Sequence, residues 1–298
     1  MRINIYQILV TFLFVSFTSG AKNTSDNSSV TKDPIIIPVW TDQDPPMDNG
    51  LTPEDEELDQ RGIISNCATA ELIIYPADKP NGKALLMCPG GGYEVLAINH
   101  EGNAMATPLN DIGVTLAVLK YRMPNGHPDV PAEDARQALR ILRENADTLG
   151  IDPDKIGIGG ASAGGHLAST VATHRVPEVE LPSFQVLLYP VISMNDSITH
   201  KGSKLALLGE NPTDELTEYY SNELQVSMET PTAFIAVSND DIGVPVENTL
   251  LYVNALRSNH IPVALHIYPT GGHGWGMNKW FQYHDVFIAE LLTWLQSI

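Results

Sequence analysis

The stretch GIGGASAGGHLAS (157–169) places one serine, Ser162, among small residues in the middle of the chain. The preceding DPDKIGI (152–158) predicts a turn that enters a strand, and the following GHLASTVATH (165–174) predicts a helix. A serine on such a sharp turn has a strained backbone, and the pattern G-x-S-x-G supplies the small neighbours that it needs. The helix N-terminus at this point favours a developing negative charge. The stretch therefore predicts a nucleophilic Ser162.

Two other interpretations of this stretch are weaker. A glycine-rich turn can carry a serine incidentally, and GIGGAS resembles part of the dinucleotide-binding pattern G-x-G-x-x-G. That pattern belongs on the first strand of its unit and requires an acidic residue about twenty positions later. Several predicted strands precede Ser162, so its position favours the nucleophile turn. His166 follows on the same helix, and we interpret it as a packing residue.

Short apolar strands alternate with helices around this turn. The predicted strands are 70–76, 83–89, 114–121, 155–160, 184–190, 232–238 and 263–269, and the predicted helices outside this stretch are 103–113, 131–150, 246–259 and 285–298. This order predicts a three-layer α/β sandwich over 35–298, with a mostly parallel sheet and helices on both faces. Residues 35–65 are expected to be irregular. Residues 191–231 interrupt the alternation and are expected to form an inserted segment near the active site.

The N-terminal residues predict export from the cytoplasm. In residues 1–21, Arg2 precedes a short apolar run and small residues, as in a secretory signal peptide. Residues 22–34 are polar and predict a flexible linker. The protein is thus expected to be secreted or periplasmic, with no membrane association after cleavage.

Charge and cysteine content exclude several classes of partner. Lys and Arg number 17 against 36 Asp and Glu, which gives a net charge of −19 and argues against nucleic acid or anionic membranes as ligands. Cys67 and Cys88 are the only cysteines, and we interpret them as buried free thiols. Without a matching histidine pattern they do not predict a metal site.

A serine nucleophile requires a base, an acid that orients the base, and donors for the oxyanion. The loop NDDIGVP (239–245) follows one predicted strand and offers Asp240 and Asp241 as competing acids. The loop TGGHGWG (270–276) follows the last predicted strand and offers His273 as the base. Both loops lie where α/β sheets build their sites, at the carboxyl ends of strands.

Three consecutive glycines follow another apolar strand in KALLMCPGGGY (83–93). Glycines at this point leave backbone N–H groups uncovered, and their entropic cost makes a purely structural turn a weaker explanation. We predict an oxyanion hole formed by the N–H of Ala163, the residue after the nucleophile, together with an N–H from the loop of Gly90, Gly91 and Gly92.

These motifs resemble those of the α/β-hydrolase superfamily, in the branch of the hormone-sensitive-lipase-like esterases. The chain resembles in particular the secreted bacterial acetyl-xylan-esterase-like group, over about 80% of its length. The segments that carry this resemblance are PGGGY (89–93), YRMPNGHPDVPAEDARQALRIL (121–142), VISMNDSITHKGSKLALLGENP (191–212), SNELQV (221–226), DDIGVPVENTLLYVNAL (240–256) and GGHGWG (271–276). Pro89 stands where the lipase-like branch usually has histidine, which weakens the lipase-like assignment rather than the chemistry.

The resemblance implies specific roles and a function. In such proteins the acid lies four residues before the proline of the VP element, which selects Asp241. Ser162 would be the nucleophile and His273 the general base and acid. The oxyanion donors would be the N–H groups of Gly91, Gly92 and Ala163. Tyr93, His200 and Trp275 are our candidate substrate-binding residues. The implied activity is the removal of short acyl groups, acetyl foremost, from a plant polysaccharide such as xylan, without a metal or organic cofactor.

Three alternatives to this function remain at the level of the sequence. The same three residues would serve an amidase, formamidase or peptidase. A non-catalytic carbohydrate-binding module could keep the fold, although the complete set Ser162, Asp241 and His273 argues against it. A lipase would need a long apolar lid, whereas residues 191–231 are polar.

Overall fold

The computed structural model describes residues 33–40, 45, 47–177 and 179–298. The predicted signal peptide (1–21) and the predicted linker up to residue 32 lie outside these residues. Within them, no helix combines the length and the apolar character needed to cross a membrane.

The strands form two sheets. Their bounds are β1 Ile35–Pro38, β2 Glu57–Leu58, β3 Ile63–Ser65, β4 Glu71–Tyr75, β5 Gly82–Cys88, β6 Val95–Ala97, β7 Thr115–Lys120, β8 Ile151–Ala161, β9 Phe184–Leu188, β10 Thr232–Ser238 and β11 Val263–Tyr268. The larger sheet has the order β1-β4-β7-β5-β8-β9-β10-β11. The β1/β4 and β4/β7 pairs are antiparallel, and the other neighbours are parallel. This confirms the predicted mostly parallel sheet.

Helices cover both faces of this sheet. Their bounds are α1 Ala106–Asp111, α2 Asp129–Glu144, α3 Ala146–Leu149, α4 Ala163–Thr173, α5 Lys201–Leu208, α6 Asp214–Tyr219, α7 Glu247–Ser258 and α8 His284–Ser297. Along the strand order of the large sheet, the crossover connections through α2, α4 and α7 run in one direction. The connection through α1 runs in the opposite direction. Because crossovers are right-handed, α1 lies on the face opposite to α2, α4 and α7. The last helix, α8, contacts α1, which completes the predicted three-layer sandwich.

The inner strands of the large sheet are buried because helices cover both of its faces. All six residues of β7 and all five of β9 are buried, since helices pack against both sides of these strands. The segment 191–231 lies between β9 and β10 and carries α5, α6 and a short 3-10 helix at Asn222–Leu224.

The expectation of irregular structure over 35–65 is wrong. In β1, Ile35 lies opposite Ile74 and Pro38 lies opposite Glu71 at the edge of the large sheet. Strands β2 and β3 join β6 in a small antiparallel sheet. These strands have two to four residues each, too few to show a periodic pattern, and their stability comes from pairing with distant segments.

A buried ion pair supports the loop that precedes the glycines of PGGGY. Arg122 follows β7 and its Nη2 lies 2.7 Å from Oδ1 of Asp134, on α2. Burial raises the pKa of Asp134, while the contacts with Arg122 act in the opposite direction. The neighbouring Tyr121 donates a hydrogen bond of 2.8 Å to the carbonyl of Pro89. The end of β7 thereby holds the loop in place.

Both cysteines are buried free thiols. Cys67 precedes β4 and Cys88 ends β5. Burial raises the pKa of both thiols, so they stay protonated at neutral pH. This is the arrangement predicted from the sequence.

Candidate active site

Ser162 stands alone between β8 and α4. Its φ of 53° is in the left-handed region, which L-residues seldom adopt. The glycines around it are required by close approach of the backbone: a Cβ on Gly160 would collide with the carbonyl of Gly164, and a Cβ on Gly164 with that of Cys88. The small residues of the G-x-S-x-G pattern therefore allow β8, α4 and the end of β5 to meet at the serine.

His273 joins this serine to a buried carboxylate. Its Nε2 lies 2.8 Å from Oγ of Ser162, and its Nδ1 lies 2.6 Å from Oδ2 of Asp241. The carboxylate of Asp241 is fully buried, and its Oδ1 accepts hydrogen bonds of 2.9 Å from the N–H groups of Gly243 and Val244. This arrangement suits an imidazole that donates from Nδ1 and accepts a proton at Nε2.

The geometry separates the two competing acids. Asp240 lies on the same loop, but its Oδ1 accepts the N–H of Gly272 at 2.8 Å and its side chain contacts the backbone beside His273. Of these two acids, Asp241 is the one that hydrogen-bonds to the imidazole in the described part of the chain. The structure therefore brings together Ser162, His273 and Asp241, the three residues selected from the sequence.

The three glycines of the PGGGY loop have different surroundings. The N–H of Gly90 donates to Oε2 of Glu101 at 2.8 Å. The N–H groups of Gly91, Gly92 and Ala163 donate to no acceptor in the described part of the chain. Gly91 has a φ of 136°, and a Cβ there would collide with the carbonyl of Val95. The three predicted oxyanion donors are thus unpaired, and Gly90 is not one of them.

His200 lies beside the oxyanion loop. It caps α5, because its Nδ1 accepts the N–H of Ser203 at 3.1 Å and its hydroxyl at 2.8 Å. The ring therefore carries its proton on Nε2. Its Cε1 is 3.7 Å from the position of a Cβ on Gly92. Burial and, to a smaller extent, the neighbouring His273 lower the pKa of His200, so it is neutral at pH 7.

The prediction that the side chains of Tyr93 and Trp275 bind substrate needs a correction. The side chain of Tyr93 is only 2% exposed, and its hydroxyl is 2.9 Å from Nδ1 of His166 in the interior. Trp275 is 0% exposed; it stacks on Phe281 and donates to Oγ of Ser238 at 3.0 Å. The polar groups of both side chains have interior partners, so neither is free to bind a substrate in this arrangement. Both instead support the loops that carry the site.

Tyr189 and Glu101, which belong to none of the sequence motifs, connect the oxyanion loop to the loop of His273. Tyr189 follows β9, and its hydroxyl donates to Oε1 of Glu101 at 2.7 Å and accepts the N–H of Gly276 at 2.8 Å. Its ring packs edge-on against His273, with 4.8 Å between centroids. Glu101 also binds the N–H of Gly90. The pair Glu101 and Tyr189 is a positioning element that spans the oxyanion loop and the histidine loop.

His166 has the packing position inferred from the sequence. It is fully buried, and its Nε2–H donates to the carbonyl of Tyr220 at 2.8 Å while Nδ1 accepts from Tyr93. Burial lowers the pKa of His166 to about 4. Both ring nitrogens are engaged, so this histidine has no free position for proton transfer with Ser162.

The buried neutral His166 predicts a loss of stability in acid. The unfolded chain binds a proton at this residue below pH ~6.5, and the folded chain only below about 4. Stability therefore falls as the pH drops through this window, by about 2 kcal/mol for this residue between pH 7 and 5. We expect urea unfolding of His166→Gln to show a smaller loss over that range than the wild type. An equal loss in both proteins would contradict this assignment.

Comparison with known proteins agrees with the geometry. A family model described as the alpha/beta hydrolase fold matches residues 85–277. An acetylxylan esterase of Xylanibacter ruminicola is 40% identical over 239 residues, which are 79% of this chain and 50% of that protein. An endo-1,4-beta-xylanase B of Butyrivibrio fibrisolvens is 39% identical over 204 residues, 64% of this chain and 32% of that protein. The chain thus spans half or less of these two relatives.

A solved structure matches nearly end to end. The acetyl ester-xyloside bifunctional hydrolase from Caldicellulosiruptor lactoaceticus superposes with a TM-score of 0.77 at 37% identity. The match covers 91% of this chain and 98% of the other.

Proposed function

The chain belongs to the α/β-hydrolase family, and from that premise we propose that it is a serine carboxylesterase that removes acetyl and similar short acyl groups from a plant polysaccharide such as xylan. The observation that carries the reaction class is the continuous hydrogen-bonded series from Ser162 through His273 to Asp241, with distances of 2.8 and 2.6 Å. The substrate class is supported by relatives named as an acetylxylan esterase, a xylanase and an acetyl ester-xyloside hydrolase.

The first step forms an acyl-enzyme. Oγ of Ser162 attacks the ester carbonyl carbon while Nε2 of His273 accepts the hydroxyl proton. The buried carboxylate of Asp241 stabilises the imidazolium that forms. The N–H groups of Gly91, Gly92 and Ala163 donate to the oxyanion, a contribution that is usually among the largest in acyl transfer. His273 then protonates the departing sugar oxygen.

The second step releases the acid. Water takes the place of the sugar, and His273 accepts its proton as the oxygen attacks the acyl carbon. The second tetrahedral intermediate uses the same N–H donors. It collapses to free carboxylic acid as its C–Oγ bond breaks and His273 returns the proton to Oγ of Ser162. We propose that the neutral His200, whose Cε1 lies near Gly92, contacts the acyl group or the sugar next to it through its Nε2–H, and its position beside the oxyanion loop supports this role.

The test of this function is the release of acetate from defined substrates. We expect the purified protein to release acetate from acetylated xylan and from p-nitrophenyl acetate, with deacetylated oligosaccharides visible by mass spectrometry. Acetylated pectin, an aryl amide and an N-formyl compound are the comparison substrates. Faster cleavage of the amide or N-formyl compound would replace the esterase by an amidase or formamidase. No turnover and no labelling by a fluorophosphonate probe would favour a non-catalytic module.

A further inference from the structure

A surface groove of about 420 Å³ begins where the oxyanion loop ends. Glu94, two residues after Gly92, lines the groove, and its negative charge acts to raise the pKa of His200, against the larger lowering effect of burial. Leu205 on α5 and Glu210, two residues after α5, also line the groove. A groove of this volume beside the oxyanion loop has room for more than an acetyl group.

The lining of this groove is rich in hydrogen-bond acceptors. Glu94 and Glu210 contribute exposed carboxylates, and Asn125 contributes a carbonyl oxygen because its Nδ2 already donates to the backbone of Asn49 at 2.8 Å. Among the described residues, no lysine, arginine or histidine lines it. Leu205 adds apolar surface, since it is 50% exposed. Such a surface suits an uncharged ligand with many O–H donors and an apolar ring face, and it repels an anionic one.

Unusual backbone conformations concentrate along the same path. The described part of the chain has six non-glycine residues with positive φ. Asn66, Tyr93 and Asn125 line the groove, and Ser162 and Tyr189 belong to the active site. Strained conformations persist where the surrounding structure fixes them, and they cluster at catalytic and ligand-binding positions.

The walls of the groove are fixed to one another. The N–H of Gly126 donates to the carbonyl of Ala206 on α5 at 3.1 Å, which ties the loop of Asn125 to that helix. Asn49 donates from its Nδ2 to the carbonyl of Met123 at 2.8 Å. Because these bonds join the walls of the groove within the protein itself, little ordering is needed on binding.

We propose that this groove is a glycan subsite, which binds neutral sugar residues next to the acylated one in the same polymer. The inference rests on the proposed function, because it assumes that the ester is carried by a polysaccharide. It narrows the proposed substrate to uncharged chains, such as a xylan backbone, in preference to a polyuronide. It also adds residues that would set that preference, chiefly Asn125, Leu205 and the two glutamates.

The first experiment measures binding without turnover. Isothermal titration of the wild-type protein with unacetylated xylohexaose is expected to show binding, and a trigalacturonate is expected to bind at least tenfold more weakly. Asn125→Gly, which tolerates the positive φ, and Leu205→Ser are each expected to weaken xylohexaose binding about fivefold. Asn211→Ala and Leu224→Ser are matched controls at exposed positions outside the groove, with unchanged affinity expected. Thermal melting checks that each variant is folded.

A kinetic comparison separates the subsite from the esterase function. In the two groove variants, the ratio of kcat/KM for an acetylated xylo-oligosaccharide to that for p-nitrophenyl acetate is expected to fall about fivefold, because the aryl ester is too short to reach the groove. Turnover of both esters with an unchanged ratio, or no binding of xylohexaose, would overturn the subsite alone. No turnover of any ester would overturn the proposed function, and xylohexaose binding would still report on the groove.

Discussion

Replacing Ser162 by alanine is expected to lower kcat/KM for p-nitrophenyl acetate by about 10³-fold or more. Without Oγ no acyl-enzyme can form, and the N–H groups of Gly91, Gly92 and Ala163 can only assist the direct attack of water. The loss corresponds to about 4 kcal/mol of transition-state stabilisation. The fold should survive, because alanine keeps the Cβ and removes only the atom that bonds His273. The measurement is steady-state hydrolysis, with circular dichroism and thermal melting of the variant.

Ser258→Ala is the matched control for this substitution. Ser258 ends α7 and is exposed, so its hydroxyl takes no part in the site. The control should hydrolyse the ester and react with a fluorophosphonate as the wild type does, whereas Ser162→Ala should do neither. Ser162→Ala with kcat/KM within threefold of the wild type would remove Ser162 from the mechanism.

The second large effect is expected from Asp241→Asn, which should lower kcat by about 10³-fold or more by analogy with other serine hydrolases. The carbonyl oxygen of asparagine can still accept the N–H groups of Gly243 and Val244. Its NH₂ then faces Nδ1 of His273, which must become the acceptor. The imidazole would carry its proton on Nε2, the position that has to take the proton of Ser162. The change therefore disables the base while the loop keeps its backbone contacts.

Asp240→Asn is the control within the same loop, with the same change of charge and almost the same volume. Its carboxylate accepts only the N–H of Gly272 among the described residues, and the asparagine oxygen can do the same. We expect less than a tenfold change in kcat for this variant. A large loss in Asp240→Asn with a small one in Asp241→Asn would transfer the orienting role to Asp240.

These elements of the site could be predicted from the sequence because a short local motif marks each of them. A glycine-rich turn at a strand end marks Ser162, the PGGGY loop and His273, and the order of these loops along the chain supports their interpretation. The choice between Asp240 and Asp241 depended on the family resemblance. Their different partners, the backbone of Gly272 and the ring of His273, arise from loop geometry that spacing alone does not specify.

The features that were missed depend on contacts between distant segments. Glu101 and Tyr189 are 88 residues apart and belong to no motif, so only the folded chain shows that they bond. Tyr93 and Trp275 flank catalytic motifs, but packing turns both side chains inward. Strand β1 has four residues, and its pairing with β4 determines its structure more than its own sequence does.

The Tyr189 hydroxyl, which bonds both Glu101 and Gly276, has a consequence for the redesign of this protein. The phenol oxygen of Tyr189 contacts the carboxylate of Glu101 and the backbone N–H of Gly276. The same carboxylate binds the N–H of Gly90, the first glycine of the oxyanion loop. The two loops are therefore not interchangeable modules. A graft that imports the histidine loop of a relative, without the tyrosine and glutamate to match it, would shift the register of the glycine loop as well. Loop exchange in this scaffold should move both segments as one block.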